Sequence, residues 1–260
     1  MKFQPTTQEE VSTYRQELYR TFVAPLDGMW EALYVASATP FLITLEDTSI
    51  GYCCIDEDKN INQLYLMPVH RFLINKVVEE LIKEAMIQGA LLSSIEPVAF
   101  NVCLAKTNTI SANTFNFHYA SPQKGENKKQ LDLIKARMDD HSAIKSFFLN
   151  EAGFDDNFGY AENLIKRGEI FLLIEDGILT ATGECRLSDT QPAYADVGMI
   201  VKQDARKRGW GGKVLATLAG IAERQGRIPI CSTTVDNIAS QKAIQKAGFY
   251  QSHIVFKMEF

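Results

Sequence analysis

Apolar and polar positions follow two rhythms along this chain, and the rhythms come in nearly the same order twice. After a first short strand, residues 5–19 read as a short helix. "FLITLEDTSIGYCCI" is an apolar strand, a polar turn over residues 46–49 and a second strand, which predicts a hairpin. "NQLYLMP" predicts another strand. In "INKVVEELIKEAMIQG", Val77, Val78, Leu81, Ile82 and Met86 recur at helical spacing, and Gly89 reads as the stop. "PVAFNVCL" reads as a strand and "FNFHYA" as one more.

The second half repeats the sequence of elements. "LDLIKARM" predicts a strand and "HSAIKSFFLNEA" a helix. "EIFLLIEDGILTATGECRL" predicts a hairpin turning at Asp176-Gly177, a pair suited to two left-handed turn positions. "YADVGMIV" is a strand. "GGKVLATLAGIAERQG" is a helix with Val214, Leu218, Ile221 and Ala222 on one face and Gly226 at its end. "IPICSTTV" is a strand, "SQKAIQKAG" a helix and "YQSHIVFKMEF" a last strand.

Two copies of one unit explain this order. "LMPVHR" (residues 66–71) aligns with "VKQDAR" (residues 201–206), and "NTISANTF" (residues 108–115) with "NIASQKAI" (residues 237–244). Two unrelated α/β halves are the plainer alternative. "SPQKGENKKQ", residues 121–130, is polar, charged and without apolar period, so it reads as the linker. The expected division is therefore 1–122 and 131–260.

Composition narrows the class. With 46% hydrophobic and 23% charged residues over 260 positions, the chain can bury a full core without a disulfide or metal staple. A net charge of −5 argues against a general nucleic-acid binder and against an anionic-membrane partner. Cys53, Cys54, Cys103, Cys185 and Cys231 show no C-x-x-C spacing, and an odd count of this kind predicts reduced thiols in a cytoplasmic protein. The beginning "MKFQPTTQEEVSTY" has no apolar stretch of the secretory kind. His70, His118, His141 and His253 have no ligand spacing, so no metal is expected.

Against that acidic background, "RKRGWGGK" places four basic residues and three glycines in one stretch between a strand and an amphipathic helix. Helix N-termini carry unpaired N–H groups and the positive end of the macrodipole. Glycines let the backbone approach a ligand and aim successive N–H groups at it. Arg206, Lys207, Arg208 and Lys213 add charge, which makes the segment a candidate phosphate or pyrophosphate cradle. It is not a Walker A loop, because Val214 follows Lys213 where Ser or Thr is needed. Nor is it a dinucleotide fingerprint, because "GWGGKV" lacks the third glycine. The plain competitor is a turn with a solvated basic face.

"VKQDARKRGWGGKVL" resembles the acyl-CoA loop of the GNAT superfamily of N-acetyltransferases, R-x-x-G-x-G/A between strand and helix, with Arg206, Gly209 and Gly211 at the motif positions. "NIASQKAIQKAGF" is similar to that family's second signature, supplying Asn237, Ser240, Gly248 and Phe249. The resemblance covers roughly residues 131–260. It implies two tandem GNAT-like acyl-CoA N-acyltransferase folds, each an α/β (α+β) unit on a mixed sheet. It implies a sheet splayed beside the strand ending at Val201, with the pantetheine arm of acetyl-CoA pairing like an added strand from Met199 to Val201. The pyrophosphate would lie over Arg206, Lys207, Arg208, Gly209, Trp210 and Gly211, and Asn237 and Ser240 would contact the cofactor from the other side. In the N-terminal copy the cradle reads "RFLINK", with Ile74 and Lys76 where both glycines should be. That copy is expected to be degenerate, not to bind CoA, and to shape the acceptor pocket or a subunit contact; a homodimer is compatible with this.

The expected reaction is acetyl transfer to a primary amine of a small molecule within a ternary complex. It needs a free amine, a placed thioester, an oxyanion donor and a proton for the thiolate. A backbone N–H near Val201 is the expected oxyanion donor. Asp196, then Glu184, is the candidate base or orienter of a base water, each with a solvent-facing strand carboxylate as its plain alternative. The family's Tyr seven residues after the motif Asn is replaced by Ile244, which leaves Ser240, Tyr250, Cys231 or water to protonate the thiolate. The aromatic stretch "FFLNEAGFDDNFGY" lies where the resemblance puts acceptor-binding helices. Asp155 and Asp156 would attract a cationic amine there, unless the stretch is ordinary core with solvated acids. The reading from another class is a non-catalytic acyl-CoA-binding or sensing module.

Overall fold

The structure, a computed structural model, describes residues 1–120 and 130–260. The linker expected at 121–130 lies outside the described residues except for Gln130. The chain forms two compact units, Met1–Phe115 with His253–Phe260, and Asn116–Ser252. The elements of the first part are β1 (Lys2–Pro5), α1 (Ser12–Tyr19), β2 (Thr39–Leu45), β3 (Thr48–Ile55), β4 (Asn60–Leu66), α2 (Ile74–Lys83), β5 (Gly89–Ser93), α3 (Pro97–Leu104) and β6 (Thr109–Tyr119). Those that follow are β7 (Ile134–Lys135), α4 (His141–Ala152), α5 (Tyr160–Arg167), β8 (Ile170–Glu175), β9 (Ile178–Leu187), β10 (Tyr194–Val201), α6 (Trp210–Arg224), β11 (Ile228–Thr234), α7 (Ile238–Ala247) and β12 (Phe249–Glu259). The unit boundary falls within β6 and β12.

In the first unit the strand order is β1-β2-β3-β4-β5-β12. The sheet is mixed: β4 and β5 are parallel, and the remaining neighbours in that run are antiparallel. The β2–β3 turn holds both Glu46 (φ 49°) and Asp47 (φ 65°) in the left-handed region, the twist that a two-residue hairpin requires. Val77, Val78 and Leu81 of α2 are fully buried against Ile61, Leu64 and Leu92 of the sheet. The helical period thus folds as expected, but α2 ends at Lys83 and Gly89 does not stop it. Gly89 opens β5, where a Cβ would stand 2.4 Å from the Met258 carbonyl oxygen and 2.8 Å from Asn60 Oδ1.

Two expectations fail here. "PVAFNVCL" is helix α3, with Pro97 in its first turn, and the strand before it is "GALLS". A short apolar run lacks the period to separate strand from buried helix, and Pro at a first helical position was the available signal. The alignment of residues 108–115 with 237–244 fails with it: the former lie in β6, the latter in the N-cap and body of α7. The helix standing where α7 stands in its own unit, after the last parallel strand, is α3. Residues 255–259 run antiparallel to residues 89–93, so the last stretch of β12 lies in the first unit.

In the second unit the strand order is β6-β11-β10-β9-β8-β7. The β8–β9 turn places Asp176 (φ 50°) and Gly177 (φ 76°) left-handed, repeating the turn geometry of β2–β3. Ile144, Phe148, Leu164 and Ile165 of α4 and α5 form a core with Ile170 and Leu172, and Ile200 packs against it. On the other face α6 approaches β9 so closely that a Cβ at Gly183 would meet Val214 and Leu218 at 3.0 Å. Alternation along β10 therefore turns Met199 toward α6 and Asp196 and Ile200 toward α4 and α5. Among the described residues no helix is long and apolar enough to cross a membrane.

Candidate functional site

The site begins where two strands part. β10 runs parallel to β11 only through Tyr194↔Ile228, Ala195↔Pro229 and Asp196↔Ile230. On its other edge it stays paired to β9 as far as Val201↔Ala181. Beyond Asp196 the β11-side edge of β10 leaves the ladder, so its backbone donors and acceptors face a widening cleft. Backbone groups in that position seek partners, and an extended amide-bearing chain supplies them. The splay expected beside Val201 is present.

The cleft leads into the glycine-basic segment. After the turn at Gln203–Ala205, Lys207 (φ 64°) and Gly209 (φ 82°) are left-handed and α6 starts at Trp210. Lys213 N–H closes onto the Gly209 carbonyl at 3.3 Å, so the N–H groups of Trp210, Gly211 and Gly212 precede the helical ladder. The three glycines have different reasons. Gly209 has open space where a Cβ would go and is needed for its positive φ. At Gly211 a Cβ would meet Met199 Cε at 3.1 Å and Ala243 Cβ at 3.3 Å; at Gly212 it would meet the Ala243 carbonyl at 3.3 Å. The last two let α6 seat against β10 and α7 as well as leaving the helix start bare.

A cavity of about 1390 Å³ opens over this helix start. Met199, Val201, Arg206, Lys207, Gly209, Trp210, Gly211, Asn237 and Ser240 all line it. Arg208 is exposed and does not. Arg206 lines the cavity while donating from Nε to the Val201 carbonyl at 3.0 Å and from Nη2 to the Glu151 carbonyl at 2.6 Å. It ties the end of α4 to the end of β10 and shapes the cradle from behind. Asn237 caps α7, its Oδ1 accepting from Ser240 N–H at 3.1 Å. Lys213 Nζ sits 4.7 Å from the centroid of the Trp210 ring, a cation–π contact at the cavity wall.

Sequence reading missed the α7 wall. Ala239, Lys242, Ala243 and Lys246 line the cavity at i, i+3, i+4 and i+7, a single helix face that the spacing alone could have revealed. Lys207, Lys213, Lys242 and Lys246 stand against Glu151 and Glu223 on the lining. A donor set of bare helix N–H groups and lysines beside an unladdered strand edge fits a pyrophosphate carried on an amide-containing arm. Of the residues considered for thiolate protonation, Ser240 lines the cavity, whereas Cys231 and Tyr250 do not. Ile244 is 2% exposed, in the core.

Asp196 and Glu184 are not solvent-facing. Both are buried, and both are bound by Arg186: its Nη2 pairs with Asp196 Oδ1 and its Nη1 with Glu184 Oε2. Tyr160 OH donates to Glu184 Oε2 at 2.7 Å and accepts from Arg186 Nη1 at 2.7 Å. Burial, with the adjacent Glu184 carboxylate, lifts the Tyr160 phenol well above its usual range, against the opposing pull of Arg186. Neither carboxylate lines the large cavity; the group lies on the opposite face of β10, under α4 and α5. Arg186 was legible as the strand neighbour two residues from Glu184 and so on its face. Tyr160 was not, because α5 itself was not read from the sequence. Asp156 acts locally, its carboxylate accepting from Tyr160 N–H at 2.7 Å and Ala161 N–H at 2.8 Å. Burial alone would raise Asp156, but these backbone donors outweigh it and hold the carboxyl below its usual range.

The first unit repeats the splay without the cradle. β4 meets β5 only at Asn60↔Gly89 and Ile61↔Ala90. Its next turn, Pro68–Leu73, leads into α2 with no left-handed residue. Ile74, where Gly209 stands in the second unit, is 6% exposed and part of the core. Phe72 on that turn is 78% exposed.

Comparison with known proteins agrees with this geometry. Residues 7–120 match a family described as "Acetyltransferase (GNAT) domain" and residues 133–249 one described as "Acetyltransferase (GNAT) family". A search of curated proteins finds no match. Among solved structures, an acetyltransferase from the GNAT family of Colwellia psychrerythraea is 31% identical, with 100% of each chain covered and a TM-score of 0.92. A tandem GNAT protein from the clavulanic acid biosynthesis pathway shares the fold at 14% identity, covering 98% of this chain and 97% of its own, with a TM-score of 0.65. A GCN5-related N-acetyltransferase from Sphaerobacter thermophilus does so at 14% identity, covering 88% and 82%, with a TM-score of 0.61. With both halves matched and a full-length relative at this identity, the chain belongs to the GNAT acetyltransferase family, as two such folds in tandem.

Proposed function

We propose that the second unit moves an acetyl group from acetyl-CoA to a primary amine of a small molecule, by direct attack in a ternary complex. The observation that carries this is the continuity of the unladdered edge of β10 with the bare start of α6. One edge accepts an amide-bearing arm, and the helix start accepts its pyrophosphate. Acetyl-CoA, when bound, supplies the activated thioester. The chain's own part is to hold the arm from Met199 to Val201, to hold the phosphates over Lys207, Gly209, Trp210 and Gly211, and to present a backbone N–H near Val201 to the developing oxyanion. Asn237 and Ser240 support the cofactor from α7.

The amine nitrogen attacks the thioester carbon, the C–S bond breaks, and the sulfur leaves as thiolate. The ammonium proton passes to Asp196, the last β10 residue before the strands part, directly or through a water, with Glu184 as the second carboxylate of the group. Arg186 binds both carboxylates, so the pair also holds and orients the amine. Solvent returns the proton to the thiolate. The first unit is proposed not to bind CoA, since Ile74 fills the place of the cradle glycine and no left-handed residue opens its turn. Five buried cysteines in no disulfide fit a reducing cytoplasm, and a net charge of −5 fits a small-molecule partner rather than nucleic acid or membrane.

The test is calorimetric titration of acetyl-CoA into wild type, Lys207→Ala and Gly209→Val/Gly211→Val, followed by thiol release with an amine panel. One site per chain, weakened by the first variant and lost in the second, together with thiol release, is the expected result. Two sites per chain would give the first unit a cradle after all. A second reading, a non-catalytic acyl-CoA-binding module, is favoured by Ile244 in the family's Tyr position and by the neutralising Arg186. Binding without thiol release on any amine would decide for it.

A further inference from the structure

The face of β10 that carries Asp196 has a second feature which acetyl transfer alone does not explain. The connector between α4 and α5, residues 153–159, starts and ends on left-handed glycines, Gly153 (φ 67°) and Gly159 (φ 80°). Between them it presents Phe154 and Phe158, and Phe158 is 63% exposed. The two rings meet edge-on at 5.9 Å, Phe154 meets Tyr160 edge-on at 5.7 Å, and Phe158 lies 6.2 Å from Tyr160. The Tyr160 hydroxyl then touches the carboxylate group itself. An aromatic path therefore leads from the surface, through Phe158 and Tyr160, to Glu184, Arg186 and Asp196 at the parting of the strands.

The other face carries α6, where a Cβ at Gly183 would stand 3.0 Å from Val214 and Leu218, and the cavity assigned to the cofactor. With acetyl-CoA on that face, the α4–α5 side is the one left for the acceptor. The charge on that side suits a cation: two carboxylates face one guanidinium, and exposed Asp155 adds a third acid on the connector, with Lys145 of α4 near Asp156 as the opposing charge.

We infer that the acceptor is a primary amine bearing an aromatic or bulky apolar body, with the ring against Phe154 and Phe158 and the amine at the Glu184–Asp196 carboxylates. This rests on the transferase reading and narrows its substrate. A polyamine or amino sugar carries no apolar body to lie on the exposed face of the Phe158 ring. Phe158 and Phe154 are then substrate-binding residues, and Tyr160, acting through Glu184, is a positioning residue.

Thiol release is measured on the full chain with phenethylamine, ethylamine, spermidine and glucosamine, alongside an acetyl-CoA titration. The expected result is a preference for phenethylamine over ethylamine of roughly 10-fold or more in kcat/KM, the order expected for covering one ring. Phe158→Ala should raise the KM for phenethylamine about as much while leaving that for ethylamine and for acetyl-CoA unchanged. Phe158→Leu should recover part of the loss, which a folding defect would not. Turnover of spermidine or glucosamine in preference to phenethylamine would overturn the substrate class while leaving the transferase. So would an equal effect of Phe158→Ala on every amine. Acetyl-CoA binding with no release on any amine would instead overturn the transferase reading itself.

Discussion

Asp196 and Arg186 stand directly opposite one another across the β9–β10 ladder, and Asp196 is also the last residue of β10 to pair with β11. A salt bridge thus sits at the point where the sheet divides. Its partner carboxylate, Glu184, lies opposite Gly198, two residues further along β10. A Cβ at Gly198 would stand in ordinary contact with Arg186 Nη1 at 3.6 Å and Glu184 Oε2 at 3.7 Å. The geometry that opens the cleft and the geometry that gathers the charges are one arrangement of three strands.

Removing the guanidinium should therefore cost more than removing either acid. Arg186→Ala leaves two buried carboxylates facing each other, and the expected loss is about 3–5 kcal/mol by urea denaturation. Asp196→Asn keeps the shape and changes the charge. It should lower kcat by roughly 100-fold or more, the scale of a lost general base, with the KM for acetyl-CoA unchanged. A kcat within a factor of two of wild type would remove Asp196 from the chemistry.

The cradle makes a separate prediction, because its charges and its glycines act differently. Lys242→Ala and Lys246→Ala should each weaken acetyl-CoA binding and reduce its salt dependence, since both side chains line the cavity from α7 without shaping the loop. Gly211→Val should abolish binding at every ionic strength, because its Cβ would stand 3.1 Å from Met199 Cε and 3.3 Å from Ala243 Cβ and its two methyl groups would cover the bare helix start. Titration at low and high salt separates the two effects. Loss of salt dependence in Gly211→Val with affinity retained would contradict this division.

Much of this site was legible in the sequence because its requirements are local. A basic, glycine-rich helix start after a strand needs no distant residue to be recognised, and nine of the ten residues read as cofactor contacts line the cavity. Arg208 does not line it, since sequence adjacency does not say which way a loop residue points. The burial and pairing of Asp196 and Glu184 were not legible: they depend on Arg186 across the β9–β10 ladder and on Tyr160 of α5, a helix the sequence pattern did not reveal. In the first unit, Gly89 differs for a related reason, whereas "PVAFNVCL" carried a local signal, Pro97 at a first helical position. What makes Gly89 a strand residue is its pairing with β12, the Met258 carbonyl lying against it, a contact between residues distant in sequence.

That contact gives a stability prediction for the first unit. Gly89→Ala places a methyl group 2.4 Å from the Met258 oxygen and 2.8 Å from Asn60 Oδ1. Backbone on one side cannot yield as a flexible side chain would. The β5–β12 pairing should loosen, with a loss of about 1–3 kcal/mol, the usual scale of overpacking. Amide exchange along residues 255–259 should quicken before the rest of the protein does. Unchanged protection there would mean that β12 is held by something other than β5.

The pH dependence of the first unit turns on Glu96. It is 4% exposed at the start of α3, and its Oε1 has no hydrogen-bond partner among the described residues. Burial pushes its carboxyl up from 4.5 to about 8, and only a backbone hydrogen bond from Leu64 opposes this. The folded state then holds a proton that the unfolded state releases near pH 4.5. Stability is full below that value, falls as pH rises toward about 8, and levels off above it. Glu96→Gln keeps the amide neutral throughout and should flatten the profile between those limits. The two proteins should be nearly equal in stability at pH 4.5 and differ most above pH 8, where the wild type has to bury an anion or unfold locally around α3. Parallel profiles for the two would mean that Glu96 is ionised in the fold and paired to a cation.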